Sequence, residues 1–245
     1  MGQLENITLP ADAIQRLERF KGKTARVGVI GLGYVGLPLC LLFSEAGFQV
    51  TGFDVDEKKV ADLEAGRSYI FRIPSEEIQD ARKKGLTATL DFSRLVEQDA
   101  IIMCVPTPLT EHKEPDLSYV RNTAIALAPW LQSGQLVVLE STTYPGTTEE
   151  VLIPLLDSGN RKQLHAQTQD ETPSGSTFYV AFSPEREDPG NISVARRDIP
   201  KVVGGHDPIA TELAGALYEG IFARTVRVST TRVAEMTKLL ENIYR

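Results

Sequence analysis

Only two cysteines, one tryptophan and three histidines occur in the 245 residues, and this scarcity excludes several kinds of chemistry. Cys40 and Cys104 sit in the apolar runs "GLPLCLLF" and "AIIMCVP" and read as buried, reduced thiols. They provide neither a disulfide framework nor a metal spacing. His112, His165 and His206 have no ligand spacing either, so no metal site is expected. No apolar run approaches the length of a membrane span. The opening "MGQLENITLPADAIQRLERFKGK" has acidic residues and no long apolar core, unlike a secretory signal, so a cytoplasmic location is the expectation. Positive charge is also sparse. With 26 basic against 33 acidic residues the net charge is −7, and basic clusters stop at "RKK" and "RR". Nucleic acid and membrane are therefore not expected as partners. A small anion stays possible, because helix N-termini hold phosphate without a basic surface.

What is present is an ordinary globular composition, 42% hydrophobic and 24% charged, in a chain long enough to bury a sizeable core. From Thr24 onward, short β-branched runs alternate with helical patterns. "ARVGVI", "FQVTGFD", "AIIMCV", "QLVVLES", "FYVAFS", "KVVGG" and "RTVRVS" read as strands. Stretches 35–46, 57–65, 75–84, 117–131, 147–156 and 207–219 read as helices. Near-continuous apolar strands separated by helices predict an α/β fold: a doubly wound, Rossmann-type parallel sheet covered on both faces. A short amphipathic helix over 11–20 precedes it, with Ile14, Leu17 and Phe20 on one side. The polar, turn-rich stretch 157–177 reads as an exposed loop. The expected division is an N-terminal arm (1–22), a dinucleotide domain (23–228) and the start of a long helix (229–245) directed away from the sheet.

The strand "RVGVI" runs directly into Gly31, Leu32, Gly33, Tyr34, Val35 and Gly36, a G-x-G-x-x-G spacing that opens a helix. Gly31 permits the tight turn, Gly33 lets a pyrophosphate approach the backbone, and Gly36 lets helix and strand pack closely. The next strand ends in Asp54, 18 residues after Gly36, placed to accept hydrogen bonds from the adenosine ribose. A 2′-phosphate there would face a carboxylate, so NAD is expected over NADP.

Ligands of open α/β sheets sit beyond the carboxyl ends of the strands. Three polar, sharply turned loops leave such ends: "CVPTPLTEHKEP", "ESTTYPGTTEE" and "FSPEREDPGN". In the first, Pro106 and Pro108 hold Thr107 extended. The second presents Ser141, Thr142 and Thr143, and Thr147 with Glu150 has the pattern of a capping box. The third sets Glu185 directly after a proline, where a carboxylate can serve as acid or base. In the final stretch "AEMTKLLENIYR", Lys238 and Asn242 stand four apart and share one helix face.

Taken in order, "VGVIGLGYVGLPL", "CVPTPL", "ESTTYPGTT", "FSPEREDPGN" and "AEMTKLLENIYR" resemble the nucleotide-sugar 6-dehydrogenases of the UDP-glucose/GDP-mannose dehydrogenase family. The resemblance runs from about Arg26 to the last residue. Within the family, "SYIFRIPSEEI" and "SPEREDPGN" are most similar to the UDP-N-acetylglucosamine 6-dehydrogenase branch. The resemblance implies oxidation of the C6 alcohol of a UDP-sugar to a carboxylate with two NAD⁺, through a thioester on a cysteine. It implies that Thr142 and Glu185 position and activate the hydrolytic water, that Lys238 stabilises oxyanion charge and that Asn242 bonds beside it. It also places Thr107, Thr142, Lys59, Asp54 and the glycine loop against NAD, and implies a homodimer built through the connector helix. Glu187 and Asp188 stand where the pattern departs from the glucose type and receive no role. Neither cysteine lies in a motif like that of the family's nucleophile, so the chain reads as the cofactor part of a longer enzyme, inactive alone. Two other readings stay open: a β-hydroxyacid dehydrogenase, which also follows its glycine loop with a Lys-x-x-x-Asn helix, and a non-catalytic NAD-binding module.

Overall fold

The computed structural model describes residues 9–111, 114–169, 176–185 and 196–243, apart from the side chains of Arg196 and Asn242. His112, Glu187, Asp188 and the stretch "REDPGN" lie outside the described residues.

The sheet is built from β1 (Arg26–Ile30), β2 (Gln49–Phe53), β3 (Thr87–Thr89), β4 (Ala100–Met103), β5 (Leu136–Leu139), β6 (His165–Ala166), β7 (Thr177–Phe182), β8 (Lys201–Gly205) and β9 (Thr225–Val228). Its order is β3-β2-β1-β4-β5-β7-β8-β9, with β6 pairing beside β7. The first half, 3-2-1-4-5, is the doubly wound order in which the chain reverses direction across the sheet next to β1. Parallel pairing joins all the neighbours except β7 and β8, which are antiparallel (Ala181 opposite Gly205). The parallel sheet expected from sequence is thus mixed. Apolar patterning carries no strand direction, so the reversal has no signature in the run "KVVGG". Two short strands were also not expected. One is β3, and the other is β6 inside the stretch read as an exposed loop. There Leu164, Ala166 and Gln167 are buried, so part of 157–177 is held to the sheet.

Period-two alternation along the strands feeds two cores. On β4, Ala100 and Ile102 face one layer while Ile101 and Met103 face the other. The first layer packs under α1 (Ala11–Lys21), α2 (Gly36–Ala46) and α7 (Pro208–Glu219), with α4 (Ser75–Lys83) beside α2. The second lies under α5 (Ser118–Leu127) and α6 (Ile153–Gly159). α3 (Glu57–Glu64) borders β3, and α8 (Thr231–Ile243) lies over β7 and β8. The expectation that this last helix leaves the sheet is corrected for its first two turns, where Thr231, Ala234, Glu235 and Lys238 are buried.

The N-terminal helix is docked. Phe20, fully buried, contributes about 2 kcal/mol of apolar burial. Asp99 pairs with Arg16 and with Arg19 (2.7 Å), while its other oxygen accepts from the Arg26 backbone at 2.8 Å. A buried carboxylate so surrounded ties the arm to the lower end of β4.

Asp207 caps α7. Its Oδ1 accepts from the amides of Ile209 (2.7 Å) and Ala210 (3.2 Å), and its Oδ2 has no partner among the described residues. Burial pushes this carboxyl up to about 6, against the downward pull of the two amides. A raised carboxyl binds its proton more tightly when folded, so its stabilising effect is complete below about pH 4 and is lost as pH rises through 6. The loss is up to about 3 kcal/mol. Asp207→Asn keeps a capping oxygen and removes this step, so urea unfolding of the two proteins at pH 4 and pH 7 shows the wild type losing stability relative to the variant as pH rises.

Candidate active site

The turn after β1 is built by contacts that only glycine allows. Gly31 sits at φ +93°, and a Cβ there would lie 2.6 Å from the Cys104 carbonyl oxygen. At Gly36 a Cβ would lie 1.9 Å from the Gly31 carbonyl oxygen, so α2 can start this close to the strand only without a side chain. Around Gly33 nothing stands within 4 Å of the Cβ position. α2 opens there with no side-chain cap, so its N-terminal amides and the positive end of its dipole face a bare crevice.

Asp54, buried at the end of β2, holds this turn. Its Oδ2 accepts from the Leu32 amide (2.7 Å) and from Lys59 (3.2 Å), and its Oδ1 accepts from the Asp56 amide (3.0 Å). A carboxylate offers about four acceptor positions, so one remains at Oδ1 for a ribose hydroxyl, and another opens when Lys59 swings out. Tyr34 is exposed and Val35 half-buried at the crevice. Leu32, expected among the cofactor contacts, turns its fully buried side chain onto Gly52. Its amide is taken by Asp54 and its carbonyl by Tyr69 (2.6 Å), so it shapes the loop. An uncapped helix start, an open glycine and a ribose-accepting carboxylate fit a dinucleotide.

The neighbouring rim loops are stitched together. Ser141 donates to the Val105 carbonyl (2.6 Å), and Thr107 donates to the Thr142 carbonyl (2.7 Å). The expected capping box is not formed. Thr147 donates instead to the Tyr144 carbonyl, and the helical stretch begins with a π-turn over Thr148–Leu152. Its amides are capped from a distance. Glu235 of α8 accepts from the Gly146 amide (2.6 Å), the Thr148 amide (2.9 Å) and the Thr148 hydroxyl (2.7 Å). Burial pushes the Glu235 carboxyl up, while these donors pull it down. Thr231 and Arg232 bond Glu149 as well, so α8 is fastened along the second loop.

This fastening carries Lys238, buried, to the third loop, where its ammonium donates to the backbone carbonyl of Glu185. One residue earlier, the Pro184 carbonyl accepts from Lys201 (3.2 Å), whose ammonium also pairs with Glu140 (2.8 Å). The Tyr218 hydroxyl donates to the other Glu140 oxygen. Burial pushes Glu140 up, opposed by Lys201. The structure therefore joins Thr107 to Thr142 and Lys238 to Glu185. Asn242 follows Lys238 by one turn, its side chain outside the described residues. Reasoning from sequence did not find Tyr69, Glu235 or the Glu140–Lys201–Tyr218 group. A glutamate in "AEMTK" looks the same whether solvated or buried, and only the fold reveals its partners.

Comparison with known proteins decides the family. The model of the UDP-glucose/GDP-mannose dehydrogenase family, NAD binding domain, matches residues 25–222. The chain belongs to this family. It is 35% identical over 224 residues to a UDP-N-acetyl-D-glucosamine 6-dehydrogenase of Pseudomonas aeruginosa, a match covering 91% of this chain and 50% of that protein. It is 33% identical over 225 residues to a UDP-N-acetyl-D-mannosamine dehydrogenase of Methanocaldococcus jannaschii, covering 90% and 48%. The structure of a UDP-D-ManNAc dehydrogenase from Pyrococcus horikoshii superposes with a TM-score of 0.79 at 33% identity, covering 90% of this chain and 50% of that one. The chain spans about half the length of the curated relatives it matches. Its cofactor is NAD, as the matched domain and the crevice agree. Among the described residues no group of acidic, histidine or cysteine side chains could hold a metal, and no helix is long and apolar enough to cross a membrane.

The two glycines separate binding from folding. Gly33→Ala is expected to leave the melting temperature within a few degrees of wild type while lowering NADH affinity about tenfold or more, because its methyl enters the space the pyrophosphate needs. Gly36→Ala, forced against the Gly31 carbonyl, is expected to lower the melting temperature strongly; thermal scans and NADH titration of both variants check the contrast.

Proposed function

We propose that the chain is the cofactor-binding part of a UDP-sugar 6-dehydrogenase that oxidises the C6 alcohol of a UDP-N-acetylhexosamine, UDP-N-acetylglucosamine in the first place, to the uronate. Residues 23–228 serve as the dinucleotide domain, 1–22 as its arm and 229–245 as the start of the connector helix. The observation that supports this reading is the bond from the Lys238 ammonium to the Glu185 backbone carbonyl, which joins the last helix to the loop that leaves β7. Relatives named for N-acetylglucosamine and N-acetylmannosamine match at nearly equal identity, which supports the N-acetylhexosamine class more firmly than the epimer.

Bound NAD⁺ would supply the hydride acceptor, needed twice between the C6 alcohol and the acid. The glycine loop and Asp54 would hold its pyrophosphate and ribose, with Lys59 toward the ribose and Thr107 and Thr142 toward the nicotinamide. The Lys238 ammonium stabilises negative charge developing on the C6 oxygen, and in a water-poor site such a fixed cation lowers the barrier by several kcal/mol, about 3 in comparable cases. Asn242 adds a hydrogen bond beside it. Glu185 and Thr142 orient and deprotonate the water that hydrolyses the cysteine thioester left after the second hydride transfer, releasing the carboxylate and the thiol. No cysteine of this chain suits the covalent step. Cys40 and Cys104 are buried, and burial pushes both thiols far above their ordinary value. The nucleophile and the sugar-binding surface come from beyond these residues.

The purified chain should therefore bind NADH, seen as enhanced cofactor fluorescence, yet form no NADH from NAD⁺ and UDP-N-acetylglucosamine; steady production by the 245 residues alone would overturn the assignment.

We also propose a homodimer through α8. Val233 (42% exposed), Met236 (46%), Leu240 (50%) and Ile243 (78%) follow the 3-4-3 spacing of a helix–helix seam. Sedimentation should show concentration-dependent dimers that Leu240→Glu dissociates, while a wild type monomeric at high concentration would argue against the seam.

A further inference from the structure

We propose that Tyr69 is a positioning residue for the cofactor pyrophosphate, acting through the Leu32–Gly33 peptide of the glycine loop; this rests on the dinucleotide reading of the crevice. Tyr69 lies in the connection between α3 and α4, remote in sequence from the loop it touches. Its hydroxyl donates to the Leu32 carbonyl at 2.6 Å. The amide of the same residue is held on the other side by Asp54 at 2.7 Å. Leu32 is thus restrained at both of its peptide planes.

The restraint falls where the backbone is otherwise loosest. Leu32 is flanked by Gly31 and Gly33, the two residues that least limit rotation of those planes. A trans peptide points its C=O and the following N–H in opposite directions. Turning the Leu32 carbonyl into Tyr69 therefore aims the Gly33 amide away from the phenol. Gly33 is the glycine of this loop with open space around its Cβ position. An amide already oriented costs less entropy on binding than one that must be ordered by the ligand.

The connection is built to hold the phenol still. Ile70 and Ile73, which follow it, are buried in the same core as α2, the Ile73 amide donates to the Ile70 carbonyl (2.9 Å), and the Ser68 amide donates to Ser75 at the start of α4 (3.1 Å). Burial, with Asp54 nearby, pushes the Tyr69 hydroxyl above its ordinary value, so it remains a donor at any pH at which the protein is handled.

The test separates the pyrophosphate from the rest of the ligand. NADH, ADP-ribose and adenosine are titrated into the wild-type chain and into Tyr69→Phe, with amide NMR spectra recorded for both proteins. NADH and ADP-ribose should bind about five- to tenfold more weakly to the variant, the loss expected of one hydrogen bond, with adenosine affinity unchanged and the Gly33 amide resonance moved in the free protein. Equal ADP-ribose affinity, or an equal loss for adenosine, overturns the proposal, because the first shows no effect and the second shows general loosening. If Tyr69→Phe fails to fold, Tyr69→His, a ring donor of shorter reach, is expected to give the same split. A wild type that binds no NADH sinks the underlying dinucleotide reading instead, so the two failures are distinguishable.

Discussion

The approach of α2 to the end of β1 is the constraint on which the rest depends. Gly36 and the Gly31 carbonyl meet at a distance that no side chain survives, and this brings the uncapped start of a helix up to the strand ends. Had α2 begun a few ångströms farther out, its amides would face solvent and Asp54 could not reach the Leu32 amide. The anion site, the ribose acceptor and the buried Leu32 that packs on Gly52 all follow from that one contact.

A second set of polar contacts brings the remaining loops to this centre. Their common feature is that charged side chains bind main-chain groups. Glu235 holds the Gly146 and Thr148 amides, Lys201 holds the Pro184 carbonyl, and Lys238 holds the Glu185 carbonyl. Such bonds position a loop whatever its side chains are. Removing one partner leaves a buried charge uncompensated, a cost of about 3 kcal/mol or more, so these groups are restrictive as well as stabilising.

The glycine turn, Asp54 and the alternation of strands and helices were legible in the sequence because their causes are local. Three glycines at fixed spacing after "RVGVI", and an acid ending the next strand, state their own geometry. Features set by distant residues were not legible. The "TTEE" pattern looked like a capping box, yet the Thr147 and Glu150 amides bond the Tyr144 and Gly146 carbonyls, and the side chain that caps this stretch is Glu235, 87 positions away from Thr148. β6 hid in a polar stretch because two residues are too few to show a period. The direction of β8 was invisible because an apolar run reads alike in parallel and antiparallel pairing. The pairing of Lys238 with Glu185 could be anticipated only as two members of one ordered motif set, since 53 residues separate them.

That reversal of β8 decides where the final helix can go. β8 and β9 run against the direction of β7, and Gly204 and Val228 lie level with Phe182, the last residue of β7. A helix that starts from there is already beside the loops, and α8 runs along the second one from Glu149 at Thr231 to Gly146 at Glu235. One further turn brings the Lys238 ammonium to the Glu185 carbonyl. A single antiparallel pairing therefore works as a return stroke, and it lays the start of the last helix against β7, β8 and the second loop.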